Sequence, residues 1–365
     1  MRRWFALLLI VVLVPIAFGA LVTERKDFYN NLWAPAHLLL IGQSPYDTTT
    51  LNADLPPLWL PMAIGAFAPL GWLSEEAATQ VWFLFTVALM AGLIHMSLPP
   101  TIPTPAVAAA GLLAFFFPPV LNHMLLGQFS VVAAFCLVLA ARWLEEGRQW
   151  PAAFLLALAA AKPQLSVLPA IGLAAGLASG AGPRGVAVFG AKVLAAAAAL
   201  SAPVILLAPQ WFTDYRAGWE KNPNWHHPSS FYWLHEQLGG FGWLLWAALI
   251  AGAVIGCIAI GRRLKPQTAI AWTLAITVLV IPYLWSWDFV LLLPLWLLTF
   301  GRSTWGVRLL LFAAYAIGWA GMAYVQLAHE GLNALYWWVP WWFAGSTLLV
   351  DGRQLLQGML TKDPT

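Results

Sequence analysis

The sequence predicts an all-α, polytopic membrane protein with about 12 transmembrane spans. Three observations support this class. Of the 365 residues, 61% are hydrophobic and only 9% are charged, a composition outside the range of water-soluble domains. Apolar stretches close to the roughly 20 residues that cross a hydrocarbon core of about 30 Å recur along the whole chain. Finally, Lys and Arg residues fall mainly on one side of the predicted membrane.

The candidate spans are the apolar stretches 4–22, 77–98, 106–121, 129–144, 150–163, 164–178, 186–208, 241–261, 267–283, 287–301, 307–327 and 335–350. The first follows Arg2 and Arg3 as in a signal peptide, but it has about 19 apolar residues and no small-residue cleavage site after them. We therefore interpret it as an uncleaved span. The stretches that meet at Lys162-Pro163 fit either two short spans or one broken helix.

Cytoplasmic N- and C-termini agree best with the positive-inside rule. In this orientation twelve Lys and Arg residues lie inside, and four lie outside, namely Arg25, Lys26, Arg216 and Lys221. A single membrane domain, 1–365, then has two substantial outer loops, 23–76 and 209–240. The segment Pro56–Leu73 would reverse this topology if it crossed the membrane. We therefore predict an outer interfacial or re-entrant helix that begins at its paired prolines.

The composition also excludes several functional classes. Basic residues form no run, so nucleic acid is not an expected partner. Cys136 and Cys257 lie inside apolar stretches, where a thiol behaves as a small hydrophobe. The histidines of 222–240 have no carboxylate or thiolate at the spacing of a zinc motif, so we predict neither a metal nor another cofactor.

Six short motifs follow one another along the chain: KDFYNNLW (26–33), GQSPYD (42–47), PPLWLPM (56–62), LLGQFSVV (125–132), AAAKPQLSVLP (159–169) and YLWSWDFVLLLP (283–294). In this order they resemble glycosyltransferase family 87, integral-membrane enzymes of the GT-C fold that are similar to polyprenyl-phosphate-mannose-dependent α-mannosyltransferases. The resemblance extends from about residue 20 to about residue 300.

The resemblance implies a hexosyltransferase, with mannose as the expected sugar by analogy. Its partners would be a polyprenyl-phosphate sugar donor, a lipid or glycan acceptor and the surrounding membrane lipids. It further implies an active site on the periplasmic face of a bacterial inner membrane, an acidic residue of the first outer loop as catalytic base, and no nucleotide-sugar domain.

Asp27 is the candidate base. Inverting glycosyl transfer needs a carboxylate that takes the proton of the attacking hydroxyl. Asp27 lies a few residues beyond the first predicted span, at the height where a lipid-borne sugar would present its anomeric carbon, and an ordinary aspartate is ionised there. The alternative from the residues alone is an N-cap of a helix over 28–41. The family resemblance favours the base.

Lys162 is the leading candidate for binding the donor phosphate. It lies between two apolar stretches, where an ionisable residue is costly, and Pro163 weakens the helix beside it. A phosphate oxygen would suit an ammonium in such a place. Arg25 and Lys26 are further candidates for the same role. The alternative is a Lys162 side chain that snorkels to the outer interface.

Asp288 and Gln128 are candidates for contact with the donor or acceptor sugar. Asp288 follows the tryptophans of WSWD, and it would orient sugar hydroxyls, pair with Lys162, or cap a helix that begins at Phe289. Gln128 offers an amide that hydrogen-bonds a hydroxyl, although a simple turn after Gly127 also explains it.

In the second outer loop, Trp225, His226 and His227 are the candidates for sugar contact. The alternative is a solvated loop with an aromatic anchor at the membrane interface.

Two classes of function follow from these patterns. The first is a glycosyltransferase that uses a lipid-phosphate sugar. The second is a secondary transporter or lipid flippase, which would place ionisable residues near the midplane and show related halves. The acidic residues here cluster at one predicted surface and no internal repeat is visible, which favours the enzyme. A membrane protein with a degenerate site remains open.

Overall fold

The computed structural model describes residues 25–51, 53, 55–221, 227–329 and 333–361, with side chains as far as Gly352. Every regular element within these ranges is helical, as the composition predicts. The first predicted span, 4–22, lies outside them.

The region before the first long helix is built from short helical pieces: α1 (Lys26–Phe28), a π-helical turn (Tyr29–Trp33), α2 (Ala34–Leu40), a 3₁₀ turn (Thr48–Thr50), α3 (Pro61–Phe67) and a second 3₁₀ turn (Ala68–Trp72). The next helices are α4 (Glu75–Ser97), α5 (Thr104–Phe115), α6 (Pro118–Leu126), α7 (Ser130–Glu145), α8 (Gln149–Ala159) and α9 (Pro163–Leu207). They are followed by α10 (Trp211–Glu220), α11 (Ser230–Leu238), α12 (Gly240–Arg263) and α13 (Pro266–Val280). The chain continues through the 3₁₀ segment Ser286–Leu292, α14 (Leu293–Arg302), α15 (Trp305–Ala328), a 3₁₀ turn (Asn333–Tyr336) and α16 (Val339–Thr361).

Four helices of the described chain, α4, α9, α12 and α15, are long and apolar enough to cross a membrane, and α5 with α6 forms a fifth candidate bent by 58°. The prediction of twelve spans is therefore not confirmed. Large apolar side chains such as Leu244 (68% exposed) and Leu310 (64%) project from α12 and α15. Such surfaces suit contact with lipid, so this is a helical membrane protein.

Proline explains why several predicted spans become pairs of shorter helices. Pro118, Pro163 and Pro294 each stand at the first or second position of a helix, where the missing N–H is not needed. Two stretches that we predicted as separate spans, 164–178 and 186–208, lie on either side of Gly182 in α9, where the backbone is not helical (φ 67°, ψ −178°). Pattern and length alone therefore do not determine how many of these stretches cross the membrane.

The first outer loop contains the predicted short helix, but the predicted start is wrong. Residues 56–58 are not helical, and α3 begins at Pro61. The reason is a tertiary hydrogen bond, because the Leu58 amide donates to Oδ1 of Asn31 at 2.8 Å. The Leu60 amide then donates to the carbonyl of Ala161 at 3.1 Å. These bonds hold the loop against the break between α8 and α9.

Helix α9 is the centre of the bundle and packs against α3, α8, α12 and α13. One close approach is to α12, where Gly261 contacts the backbone of Gly172. A Cβ on Gly176 would lie 2.7 Å from the Gly261 carbonyl oxygen. Glycine is needed at this crossing because the two backbones leave no room for a side chain. The tight crossing helps to fix the start of α9, which follows directly after Lys162.

Candidate functional site

Polar side chains from four distant parts of the chain meet in the interior and form one hydrogen-bonded chain. Nε2 of Gln128 donates to Oδ2 of Asp27 at 2.5 Å, and Nζ of Lys162 lies 3.4 Å from Oε1 of Gln128. The same ammonium donates to Oδ1 of Asp288 at 2.9 Å. Oγ of Ser130 donates to Oδ1 of Asp288 as well. We call Asp27, Gln128, Lys162, Asp288 and Ser130 the Asp27 network.

Asp27 lies in the first turn of α1, which continues into the π-helical turn Tyr29–Trp33. The N-cap interpretation is wrong, because Arg25 holds the N-cap position. The carboxylate of Asp27 instead accepts a hydrogen bond from Gln128. The side chain of Asn31 donates to the carbonyl of Asp27 at 3.2 Å and supports this turn. π-Helical turns are rare and occur often at functional sites.

The groups around Asp27 shift the pKa of its carboxyl group in opposite directions. The residue is half-buried, and this burial raises the pKa of Asp27 above that of an ordinary aspartate. The hydrogen bond from Gln128 and the charge of Lys162 act in the opposite direction, whereas the charge of Asp288 raises the pKa further.

Gln128 follows the sharp end of α6. Gly127 stands there with φ +70°, and a Cβ would lie 2.6 Å from Cβ of Phe28 and 3.2 Å from Cδ of Arg25. Glycine is therefore required both by the backbone conformation and by the packing of α1 against the turn. The turn that we weighed as an alternative is present, and it places an amide that is only 4% exposed between two charged groups.

Lys162 is the residue immediately before α9. Its backbone lies outside the α-helical region (φ −116°, ψ 78°), which a following proline disfavours. Its side chain is 8% exposed and is paired with a carboxylate, so the snorkelling alternative is wrong. A broken helix thus brings an ammonium into the interior, where membrane proteins tolerate irregular backbone around polar groups.

Asp288 lies in the first turn of the 3₁₀ segment, which begins at Ser286 and not at Phe289. Its side chain is completely buried. Oδ2 accepts the backbone N–H of Trp285 at 3.0 Å, and Oδ1 accepts from Lys162. Two of our alternatives therefore hold together, because the carboxylate caps its own turn and also pairs with Lys162.

Arg25 and Lys26 lie close to Asp27 in sequence but differ in their surroundings. Nε and Nη1 of Arg25 donate to the carbonyls of Met124 (3.1 Å) and Thr79 (2.7 Å), and the guanidinium lies 4.4 Å from the ring centre of Phe83. This burial lowers the pKa of Arg25 to about 10. The contacts favour a structural role for Arg25. The side chain of Lys26 is exposed.

An aromatic row connects the first outer loop to the segment that carries Asp288; in order of contact it consists of Tyr46, Tyr215, Trp219, Tyr283, His227, Trp285 and Trp287. The ring of His227 lies 4.5 Å from Tyr283 and 4.7 Å from Trp285, with both pairs edge to face. His227 thus contacts the side chain of Trp285, the residue whose backbone N–H binds Asp288. The other two candidates of this loop, Trp225 and His226, lie outside the described residues.

Sequence reasoning did not single out Ser130 or Asn31, although both lie within the motifs quoted above. Ser130 contacts Asp288 across 158 positions of the chain, and Asn31 fixes Leu58. The only sequence signal for either is a small polar residue in an apolar stretch. Within the described ranges no group of three or more His, Cys, Asp or Glu residues is arranged to hold a metal ion.

The site therefore combines a half-buried carboxylate, a fixed amide and a buried ion pair at breaks between membrane helices. A site of this class can accept a proton from a bound substrate. The family model of glycosyltransferase family 87 matches residues 59–284. The chain belongs to this family of glycosyltransferases, as the motif order indicated. The match includes Gln128 and Lys162, while Asp27 and Asp288 lie outside it. No curated protein and no solved structure matches the chain.

Proposed function

We propose that this chain transfers a hexosyl group, mannosyl by analogy with the family, from a polyprenyl-phosphate carrier to a lipid or glycan acceptor. The reaction would take place at the periplasmic face of a bacterial inner membrane, with both termini in the cytoplasm. Membership of a glycosyltransferase family supports the reaction class and argues against a transporter or flippase. The positive-inside rule supports the orientation.

Asp27 is the proposed catalytic base. The acceptor hydroxyl would attack the anomeric carbon, the bond from that carbon to the phosphate oxygen would break, and the phosphate would leave with the electron pair. The hydroxyl proton would pass to Asp27. Among the described residues only Oδ2 of this carboxylate accepts a hydrogen bond, so Oδ1 is available to the acceptor. A raised pKa increases the affinity of a carboxylate for that proton.

The charge of the Asp27 network supports proton uptake. Two carboxylates and one ammonium leave the network with a single negative charge when all three groups are ionised. Protonation of Asp27 would make it neutral. Because charge in a poorly solvated place is costly, the network favours a proton at this position during the reaction.

The donor phosphate needs cationic or hydrogen-bonding groups. Lys162, Arg25 and Lys26 were our candidates, and their exposure to solvent distinguishes them. Lys162 is paired with Asp288, and Arg25 donates to two carbonyls. Lys26 is exposed and lies next to the proposed base. We propose Lys26 as the phosphate ligand, with sugar contacts from the aromatic row at His227 and from Trp225 and His226.

The observation that carries the proposal is the hydrogen bond from Gln128 to Asp27, which orients a carboxylate of the first outer loop beside a buried ion pair. The test uses purified protein in lipid nanodiscs with radiolabelled polyprenyl-phosphate mannose and a panel of lipid and glycan acceptors. We expect Asp27→Asn to lower kcat by about 100-fold or more, because general-base catalysis contributes roughly 10²–10⁴.

Asp214→Asn is the matched control. Asp214 also accepts a side-chain hydrogen bond, from Ser44 at 2.5 Å, and an amide oxygen retains that acceptor. We expect this variant to keep wild-type kcat. Transfer by Asp27→Asn at the wild-type rate would show that another group is the base. Absence of transfer from polyprenyl-phosphate mannose to every acceptor of the panel would refute the proposed mannosyl donor.

A further inference from the structure

We propose that Gln128 is a positioning residue for Asp27, held in a single amide orientation by the buried Lys162–Asp288 pair. In this arrangement Lys162 acts through Gln128 and does not bind the donor phosphate. The inference rests on the proposed function and assigns the roles within its site.

The orientation of the Gln128 amide follows from the polarity of its two neighbours. An ammonium has only donors, so the group facing Lys162 must be the carbonyl oxygen Oε1. A carboxylate has only acceptors, so the group facing Asp27 must be the NH₂. The observed contacts, 3.4 Å on one side and 2.5 Å on the other, have this arrangement. Rotating the amide by 180° would place N–H groups against Lys162 and an oxygen against Asp27.

Lys162 is itself fixed by contacts that leave it little freedom. Its ammonium lies 2.9 Å from Oδ1 of Asp288, which also accepts from Ser130. The second oxygen, Oδ2, is occupied by the backbone N–H of Trp285. Both oxygens of a fully buried carboxylate are thus satisfied, and the pair is held in place because the Asp288 side chain is completely buried and that of Lys162 is only 8% exposed.

The same contacts argue against Lys162 as a phosphate ligand. Two of its three N–H directions already meet protein oxygens. The net charge of the Asp27 network is negative, so a phosphate approaching Lys162 would also approach two carboxylates. Lys26, unlike Lys162, is exposed to solvent.

For the proposed reaction, the consequence is that the hydrogen bond from Gln128 fixes the orientation of the Asp27 carboxylate. Gln128 binds Oδ2, and since no described residue donates to Oδ1, we assign Oδ1 to the acceptor hydroxyl. As the new glycosidic bond forms, the hydroxyl proton moves to Asp27 and the phosphate departs with the electrons of the broken bond. A displacement of about 1 Å at such a position lowers rates by as much as 10²-fold.

The pH dependence gives a readout that a purely structural amide would not change. The charged groups that act on Asp27 from other elements are Lys162 and Asp288, while Arg25 and Lys26 neighbour it on its own segment. Because the bond from Gln128 and the charge of Lys162 both lower the pKa of Asp27, losing either raises it. The acid limb of kcat/KM against pH then moves to higher pH, since the base must be ionised.

The first test is Gln128→Glu, which keeps the shape and the acceptor for Lys162 but replaces the donor to Asp27 by a carboxylate. We expect kcat to fall by about 10–100-fold and the acid limb to move to higher pH, with donor KM within about twofold of wild type. Gln128→Met, which removes both hydrogen bonds without adding charge, should shift the same two quantities in the same directions. The control is Gln149→Met, since Oε1 of Gln149 accepts from Lys192 at 2.6 Å elsewhere in the molecule. It should leave kcat and the pH profile unchanged.

The second test separates positioning from phosphate binding. The double variant Lys162→Met/Asp288→Asn removes both charges of the pair, and its folding is checked by thermal unfolding in detergent. We expect a lower kcat with an unchanged donor KM. A donor KM raised more than tenfold with wild-type kcat would overturn the inference, because that result identifies a phosphate ligand.

The outcomes also distinguish this inference from the proposed function. If Asp27→Asn is inactive while both Gln128 variants keep wild-type kcat and pH profile, the positioning role is refuted and the enzyme reaction survives. If the wild-type protein transfers no sugar, the proposed function fails and the inference fails with it.

Discussion

The Lys162–Asp288 and Arg216–Glu220 pairs have the same chemistry and very different surroundings. The first joins residues 126 positions apart, with side chains 8% and 0% exposed, at a distance of 2.9 Å. The second joins residues four positions apart on α10, with side chains 75% and 66% exposed, at 3.3 Å. The buried pair stands at helix breaks, whereas the exposed pair lies on an unbroken helix.

This difference in burial decides whether an ion pair can influence the residues around it. An exposed pair at i,i+4 is screened by water and contributes little. A buried pair has no water to replace a lost partner, so each charge depends on the other. Only the buried pair therefore holds a further group, Gln128, in one orientation.

Breaking the buried pair should have the largest effect. Lys162→Met leaves Asp288 buried without its counter-ion, which costs about 3–5 kcal/mol in comparable sites. We expect a lower thermal midpoint in detergent and poor yield of folded protein. Lys162→Met/Asp288→Asn should recover much of the loss, because no unpaired charge remains. Equal stability of Lys162→Met and wild type would show that water reaches this position.

A comparison of two glycines, one in the site and one outside it, tests the same contrast. The expected loss of stability is intermediate in size. Gly127 in the site and Gly147 between α7 and α8 have nearly equal backbone angles, φ +70° and +74°. A Cβ at Gly127 would meet Phe28 and Arg25, whereas one at Gly147 meets nothing within 4 Å. Gly147→Ala should destabilise by about 1 kcal/mol from the backbone alone, and Gly127→Ala by about 1–3 kcal/mol more. Thermal unfolding measures the loss of stability in each variant. Equal losses in the two variants would mean that α1 moves away from the added Cβ at no cost in free energy.

The smallest effect is expected at the exposed pair. Arg216→Ala should change the free energy of unfolding by less than about 0.5 kcal/mol, because both side chains are well solvated. Raising the salt concentration should leave even less difference from wild type. A loss above about 1 kcal/mol would show that α10 is held by this pair, and the contrast with Lys162 would then fail.

Much of the architecture was predictable because apolar length is a direct signal. The all-helical membrane class follows from composition, and α4, α12 and α15 lie close to their predicted ranges. The number of crossings was not predictable in the same way. Proline divides apolar stretches into helices that meet in the interior, and hydropathy does not distinguish such a pair from two crossings.

For the candidate site, the isolated charges were visible and their geometry was not. Lys162 and Asp288 attract notice because a charge in an apolar stretch needs a reason, and the structure brings them together. The bond between Gln128 and Asp27 joins residues 101 positions apart and depends on the left-handed turn at Gly127. The roles of these residues stay predictions. The start of α3 was missed because a tertiary bond from Leu58 to Asn31 overrides the local preference of Pro56 and Pro57.

The 126 positions between Lys162 and Asp288 set an order of assembly. The ribosome delivers the lysine well before the aspartate that pairs with it, so the nascent chain carries this ammonium without Asp288 while α9 to α13 are synthesised. The ion pair forms only once the segment after α13 has emerged. A chain cut short between these two points lacks the buried counter-ion of Lys162, so we expect it to be less stable than the full chain.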